Sequence, residues 1–169
     1  RATRDLMPIA RQFGINGPII AENGTFMLRG STKNKRRENL VEAEKIKKIL
    51  QEKLRSLSNQ YCATTHVIDT VRRSQDKKFL KKNVWLMNAY RDYTASIHIR
   101  SDGKKNTAVA AKVAKDLKAI LGDKYRTTTS KTFANVLVTP ATADKGRAII
   151  ELKKKYYKNS RVFMIGDDQ

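Results

Sequence analysis

Ile15-Asn16-Gly17-Pro18-Ile19-Ile20-Ala21-Glu22-Asn23-Gly24 is the stretch from which the rest of the chain is read. Its centre, Pro18 to Ala21, is a short continuous apolar run, the pattern of a strand buried on both faces as in a parallel sheet. Glu22-Asn23-Gly24 turns the chain, and Thr25-Phe26-Met27-Leu28 returns as a second short strand. Upstream, Leu6, Ile9, Ala10 and Phe13 recur at helical spacing, and Gly14 supplies a natural C-terminal stop.

Downstream, the polar and basic residues Gly30 to Arg37 read as a linker. A long helix is expected from Glu38 to Asn59, with Val41, Ile46, Ile49, Leu50, Leu54 and Leu57 as its apolar stripe. Cys62 to Lys82 reads as a loop or a second, shorter helix. Val84 to Tyr90 and Ala95 to Arg100 read as strands; in the second, Ala95, Ile97 and Ile99 alternate with Ser96, His98 and Arg100. A helix from Asn106 to Leu121 follows, capped by Asn106 and ended by Gly122. Two more strands are expected at Tyr125 to Thr129 and Phe133 to Val138. Asp144 then caps a helix running to Tyr157, and Val162-Phe163-Met164-Ile165 is an apolar run ending in Gly166-Asp167-Asp168. The fold class is therefore α/β: both ends suggest one doubly wound parallel sheet, interrupted by an α+β unit of αββαββ order.

The 169 residues suit an ordinary single domain or a small pair of subdomains. A hydrophobic content of 40% is enough for a packed core and argues against wholesale disorder. No apolar run approaches the roughly 20 residues that span a membrane, so no membrane partner is expected. Cys62, the single cysteine, excludes an internal disulfide and suits a reducing compartment, with cytoplasm as the expectation. The formal net charge of +20 favours polyanionic partners; a solvated, lysine-rich surface accounts for it equally well.

Chemistry concentrates where strands end and helices begin. In open parallel sheets, ligands bind beyond the carboxyl ends of the strands. Asp167 and Asp168 stand at such an end, and adjacent carboxylates can offer oxygen ligands to Mg²⁺. Asp144-Lys145-Gly146 opens a helix, where a lysine can meet phosphate as a point charge. Taken singly, a polar loop and a capped helix explain these residues as well.

Together, the opening decapeptide, Asp144-Lys145-Gly146 and Val162 to Asp167 resemble haloacid dehalogenase-like phosphatases with a large cap inserted after the third core strand. Within that family the resemblance is closest to archaeal phosphoglycolate phosphatases and the related sugar-phosphatase branch. Asp144-Lys145-Gly146 looks like the third motif, with its phosphate-binding lysine. Val162 to Asp167 looks like the fourth, and Tyr90-Arg91-Asp92 resembles a turn inside the cap. The resemblance implies residues 1–30 and 140–169 as sections of the catalytic core and 31–139 as the cap. It implies a Mg²⁺-dependent phosphomonoester phosphatase that works through an aspartyl-phosphate on a small phosphorylated acid or sugar. Lys145 would be catalytic, Asp167 the metal ligand, and Asn23 and Arg91 substrate-binding residues. The D-x-D segment that holds the nucleophile and the acid in this family is absent, and the fourth motif breaks off at Gln169 before its second acid, so both ends read as cut. The piece by itself is expected to be inactive.

Other residues carry weaker signals. His98 and Arg100 share the wet face of their strand, where plain exposure is expected. His66 lacks a partner at metal-ligand spacing, and Cys62 reads as a small buried hydrophobe. Trp85 and Met87 are expected in the core. The basic runs Lys33 to Arg37, Lys77-Lys78 with Lys81-Lys82, and Lys153 to Lys155 come without a nucleic-acid motif. They leave an alternative: a catalytically silent phosphatase-like subunit that binds nucleic acid in a nucleoprotein assembly. Non-specific polyanion contact is compatible with either reading.

Overall fold

The computed structural model describes residues 3–15, 17–30, 35–42, 44–68, 79, 82–88, 91–130 and 132–159. Helix α1 (Thr3–Gln12) is followed by β1 (Ile19–Ala21), a short 3₁₀ turn at Glu22–Gly24, β2 (Phe26–Gly30) and β3 (Lys35–Asn39). Then come α2 (Ile46–Gln60), β4 (Thr64–Ile68), β5 (Val84–Asn88), β6 (Ala95–Ser101) and the two-residue β7 (Lys104–Lys105). Helix α3 (Thr107–Leu121), β8 (Tyr125–Thr129), β9 (Asn135–Pro140) and α4 (Lys145–Tyr156) complete the order.

Two sheets organise these elements. The small one, β1-β2-β3, is antiparallel throughout. Ala21 pairs with Phe26 across the tight turn, so the apolar run at Pro18 to Ala21 enters a hairpin. Much of the expected linker is strand: β3 pairs Lys35 to Asn39 with Gly30 to Phe26, across the expected boundary at residue 30. Its five polar residues, Lys-Arg-Arg-Glu-Asn, have no β pattern of their own; the pairing with β2 supplies the strand. Ala21, Phe26, Leu28 and Tyr93 form this sheet's apolar cluster, with Leu6 and Met7 of α1 and Ile19 packed against it.

The large sheet has the order β4-β5-β6-β9-β8, with β7 beside β6. All its neighbours are antiparallel except β4 and β5, which run parallel. Helices α2 and α3 cover one face. Ile46, Leu50, Leu54 and Leu57 of α2 and Ala110, Val113, Ala114 and Leu117 of α3 meet Trp85, Met87, Ala95, Ile97, Ile99, Val136 and Val138. The helical residues recur every three or four positions, one stripe per helix. Tyr61, at the end of α2, donates from its hydroxyl to Asp116 Oδ2 of α3 at 2.6 Å. That bond, with burial behind it, pushes the phenol's pKa up to about 12.

Helix α2 starts at Ile46 and not at Glu38, because Glu38 and Asn39 are taken by β3. Cys62 to Ile68 is a left-handed turn and strand β4, where the sequence reads as a loop or helix; residues 69–78 lie outside the described residues. Cys62 has φ +48 and its side chain is exposed, since the turn projects it away from the α2 core. Trp85 and Met87 do enter the core. No described helix is long and apolar enough to cross a membrane.

Candidate active site

The tripeptide Glu22-Asn23-Gly24 is where the two sheets and α4 converge. Glu22 and Asn23 both lie in the left-handed region, at φ +46 and +60. An asparagine tolerates that conformation; for a glutamate it costs free energy that surrounding contacts must offset. Those contacts are charge-assisted hydrogen bonds. The Glu22 carboxylate is 2% exposed and accepts the backbone N–H groups of Asp92 (3.0 Å), Tyr93 (2.8 Å) and Thr94 (3.0 Å). Thr94 Oγ1 lies 3.4 Å from the same carboxylate. One side chain from the small sheet's turn thereby holds the segment that leads into β6 of the large sheet.

Gly24, at φ +90, is packed against the start of α4. A Cβ there would overlap the Asp144 carbonyl and come within 3.2 Å of Ala148 Cβ. Glycine is thus required twice over, by its dihedral and by the close approach. Asn23, between these two anchors, donates from Nδ2 to Thr139 Oγ1 of β9 at 3.3 Å.

Helix α4 begins as the sequence suggests. Asp144 is its N-cap and accepts the Arg147 N–H at 2.8 Å. Lys145 is the first helical residue, and it is exposed. At the other end, Lys155 pairs with Glu38 of β3 and Tyr156 Oη donates to Glu38 at 2.9 Å. The helix is therefore tied to the small sheet at both ends, which fixes Lys145 relative to Asn23.

Asn23 and Lys145 line one cleft of about 320 Å³, together with Arg126 and Thr128 of β8, Leu137 and Thr139 of β9, and Asp144. Two of the four site residues assigned from sequence thus come together. Arg91 is not among the cleft residues: its NH1 donates to Thr94 Oγ1 at 3.2 Å, beside the Glu22 clamp. Asp167, with Asp168 and the apolar run before them, lies outside the described residues. Arg126, Thr128 and Thr139 carry no signal that singles them out in the sequence. The alternation of β8 places Arg126 and Thr128 on one face, but only the sheet order shows that this face borders the cleft.

The face of the large sheet away from α2 and α3 is polar around the cleft. His98 and Asn135 are paired across β6 and β9. Asn88 Oδ1, Asn135 Oδ1 and Arg91 Nε are buried without a hydrogen-bond partner among the described residues. Burial first, then the cations Arg100, Arg91 and Lys105, holds the His98 imidazole below its ordinary pKa. His98 is half-buried, where the sequence reads as exposed. Among the described residues no three metal-binding side chains cluster. Asp144, the one acid among the described cleft residues, turns Oδ1 to its own helix. The described residues therefore do not by themselves make a Mg²⁺ site.

The fold and cleft define an α/β protein in which a small antiparallel sheet and a helix-covered larger sheet meet at a cationic cleft. A sequence profile described as haloacid dehalogenase-like hydrolase matches residues 1–169. The chain belongs to that family. A solved structure similar in fold is the crystal structure of a haloacid dehalogenase-like hydrolase from Bacteroides thetaiotaomicron, with a TM-score of 0.58 and 16% identity. The match covers 91% of this chain and 60% of that one. No curated protein matches the sequence.

Proposed function

We propose that the chain is the cap and a portion of the catalytic core of a Mg²⁺-dependent phosphomonoester phosphatase. Its substrate in this proposal is a small phosphorylated acid or sugar of phosphoglycolate type. Residues 1–30 and 140–169 are assigned to the core together with β3, which pairs with β2, and the remainder of 31–139 to the cap. The observation that carries the reading is the convergence of Asn23 and Lys145, far apart in sequence, on one cleft of small-molecule size.

Each assigned residue has a chemical task. The Lys145 ammonium neutralises charge on the phosphoryl oxygens, where most of the transition-state stabilisation in such reactions lies. Asn23 orients the ligand from a backbone position held by the Glu22 and Gly24 contacts. Asp167 is assigned to Mg²⁺, which supplies Lewis-acid stabilisation of the phosphoryl group when bound.

The test is phosphate release by the full natural protein from an aryl phosphate and from phosphoglycolate, with Mg²⁺ and with a chelator. Release that stops with the chelator is expected. A folded protein that releases phosphate from neither compound would end the phosphatase reading.

A further inference from the structure

The cleft holds two cations, and the phosphatase proposal uses only Lys145. The other is Arg126. The β8–β9 register sets Arg126 directly opposite Thr139, and Thr139 is the residue that accepts the Asn23 amide. Opposed residues on one sheet face have Cβ atoms about 5 Å apart, so Arg126 stands next to the contact that positions Asn23. One guanidinium N–H donates to the Ala143 carbonyl, immediately before the cap of α4. That bond holds the head of the side chain at the cleft beside Lys145.

An arginine has five N–H donors, and the bond to Ala143 uses one. No ion pair to Arg126 occurs among the described residues. Asp123, the nearest acid by sequence, pairs with Lys118, and Asp144, the acid of the cleft, is turned to the Arg147 amide. Two positive groups on one cleft repel each other in the free protein, and a ligand with two anionic groups relieves that repulsion. The two cations also differ in what they recognise. An ammonium is a point charge that can hold phosphate, and a guanidinium forms two parallel hydrogen bonds to a carboxylate or a phosphate; with Lys145 assigned to the phosphoryl group, Arg126 is left for the second anionic group.

We infer that Arg126 is the specificity residue that takes the carboxylate of the phosphorylated substrate while Lys145 holds its phosphoryl group. This rests on the phosphatase reading for its substrate class but places the carboxylate on Arg126 and not on Arg91. Arg91 spends NH1 on Thr94 and is not among the residues that line the cleft.

The experiment compares Arg126→Gln, Arg91→Gln and the parent in the full natural protein. Two substrates are used: phosphoglycolate, and an aryl phosphate with no second anionic group. Binding of phosphoglycolate and of methyl phosphate is measured by calorimetry alongside. Arg126→Gln is expected to raise KM for phosphoglycolate about 10- to 100-fold, as loss of a charged hydrogen-bonding pair does. The loss in kcat/KM for the aryl phosphate is expected to be at least about tenfold smaller, a pattern that general structural damage does not produce. Equal loss on both substrates, loss on neither, or the selective loss appearing in Arg91→Gln overturns the inference. If neither compound is hydrolysed but phosphoglycolate binds more tightly than methyl phosphate and Arg126→Gln removes the difference, the subsite stands and the phosphatase reading falls. Equal binding of the two ligands by a protein that hydrolyses neither ends both.

Discussion

Glu22 and Lys145 both serve the cleft, yet the loss of each has an opposite signature. The Glu22 carboxylate satisfies three backbone donors, those of Tyr93 and Thr94 buried and that of Asp92 part-buried, and each buried donor left without a partner costs about 1–3 kcal/mol. Glu22→Ala is therefore expected to destabilise the protein by about 3 kcal/mol or more, seen as a lowered urea midpoint. Glu22→Gln keeps one acceptor oxygen and falls between the parent and the alanine variant. A midpoint unchanged in both variants would mean that the clamp does not hold the turn. Lys145 is exposed at the first position of α4. Lys145→Ala should leave the urea midpoint close to the parent's, within about 0.5 kcal/mol in stability. In the same variant the proposed phosphatase turnover of the full natural protein should fall by at least about 100-fold, the cost of removing one charge-stabilising group. Normal turnover would remove Lys145 from the site.

Among the elements, α3 shows local signals and packing in agreement. Asn106 Oδ1 accepts the Val109 N–H at 3.0 Å, and Gly122 ends the helix at φ +65. Leu117 is fully buried in the main cluster. Leu117→Ala is expected to cost about 2–5 kcal/mol, measured by thermal or urea unfolding, and a cost below about 1 kcal/mol would contradict the packing described. Strand β6 carries a pH dependence on its other face. The His98 pKa is lowered, mainly by burial and then by Arg100, Arg91 and Lys105. A folded pKa below the unfolded one means that the unfolded chain takes up the proton first. His98 thus contributes stability above pH 6.5, its ordinary pKa, and that contribution fades as pH falls through the folded value. His98→Gln should flatten this section of the acid limb, so the stability gap between parent and variant should differ between about pH 7.5 and about pH 5.5. A constant gap would refute the lowered pKa of the half-buried imidazole. Helices α1, α3 and α4 and strand β8 were legible in the sequence because each carries its own period or cap. Strand β3 was not: Lys35 to Asn39 is a strand only by its pairing with β2.

At the scale of the whole molecule, a formal net charge of +20 on 169 residues repels itself in the compact state. Among the described residues few acids offset it: Glu38 answers Lys155 and Arg29, Asp92 answers Arg37, and Asp123 answers Lys118. Added salt shortens the range of the repulsion, with a Debye length of about 10 Å at 0.1 M. The melting temperature is therefore expected to rise between about 0.02 and about 0.3 M NaCl. A fall over that range would mean that attractive pairs outweigh the repulsion. The same geometry explains how the cleft forms. The β1–β2 turn holds the lead-in to β6 through Glu22, touches β9 through Asn23, and seats α4 at Gly24. Three consecutive residues thus set three elements in one place.

The sequence by itself determined the α/β class, the helical stripes of α2 and α3, the caps at Asn106 and Asp144, and the candidacy of Asn23 and Lys145. Each rests on a pattern a few residues long, or on a motif whose chemistry is local. Only the tertiary structure decided that β1 enters an antiparallel hairpin, that β3 extends it, and that Cys62 is exposed. It alone put Arg126 in the cleft and Arg91 outside it. The alternation of a strand shows which side chains share a face, but what that face meets depends on strands and helices distant in sequence.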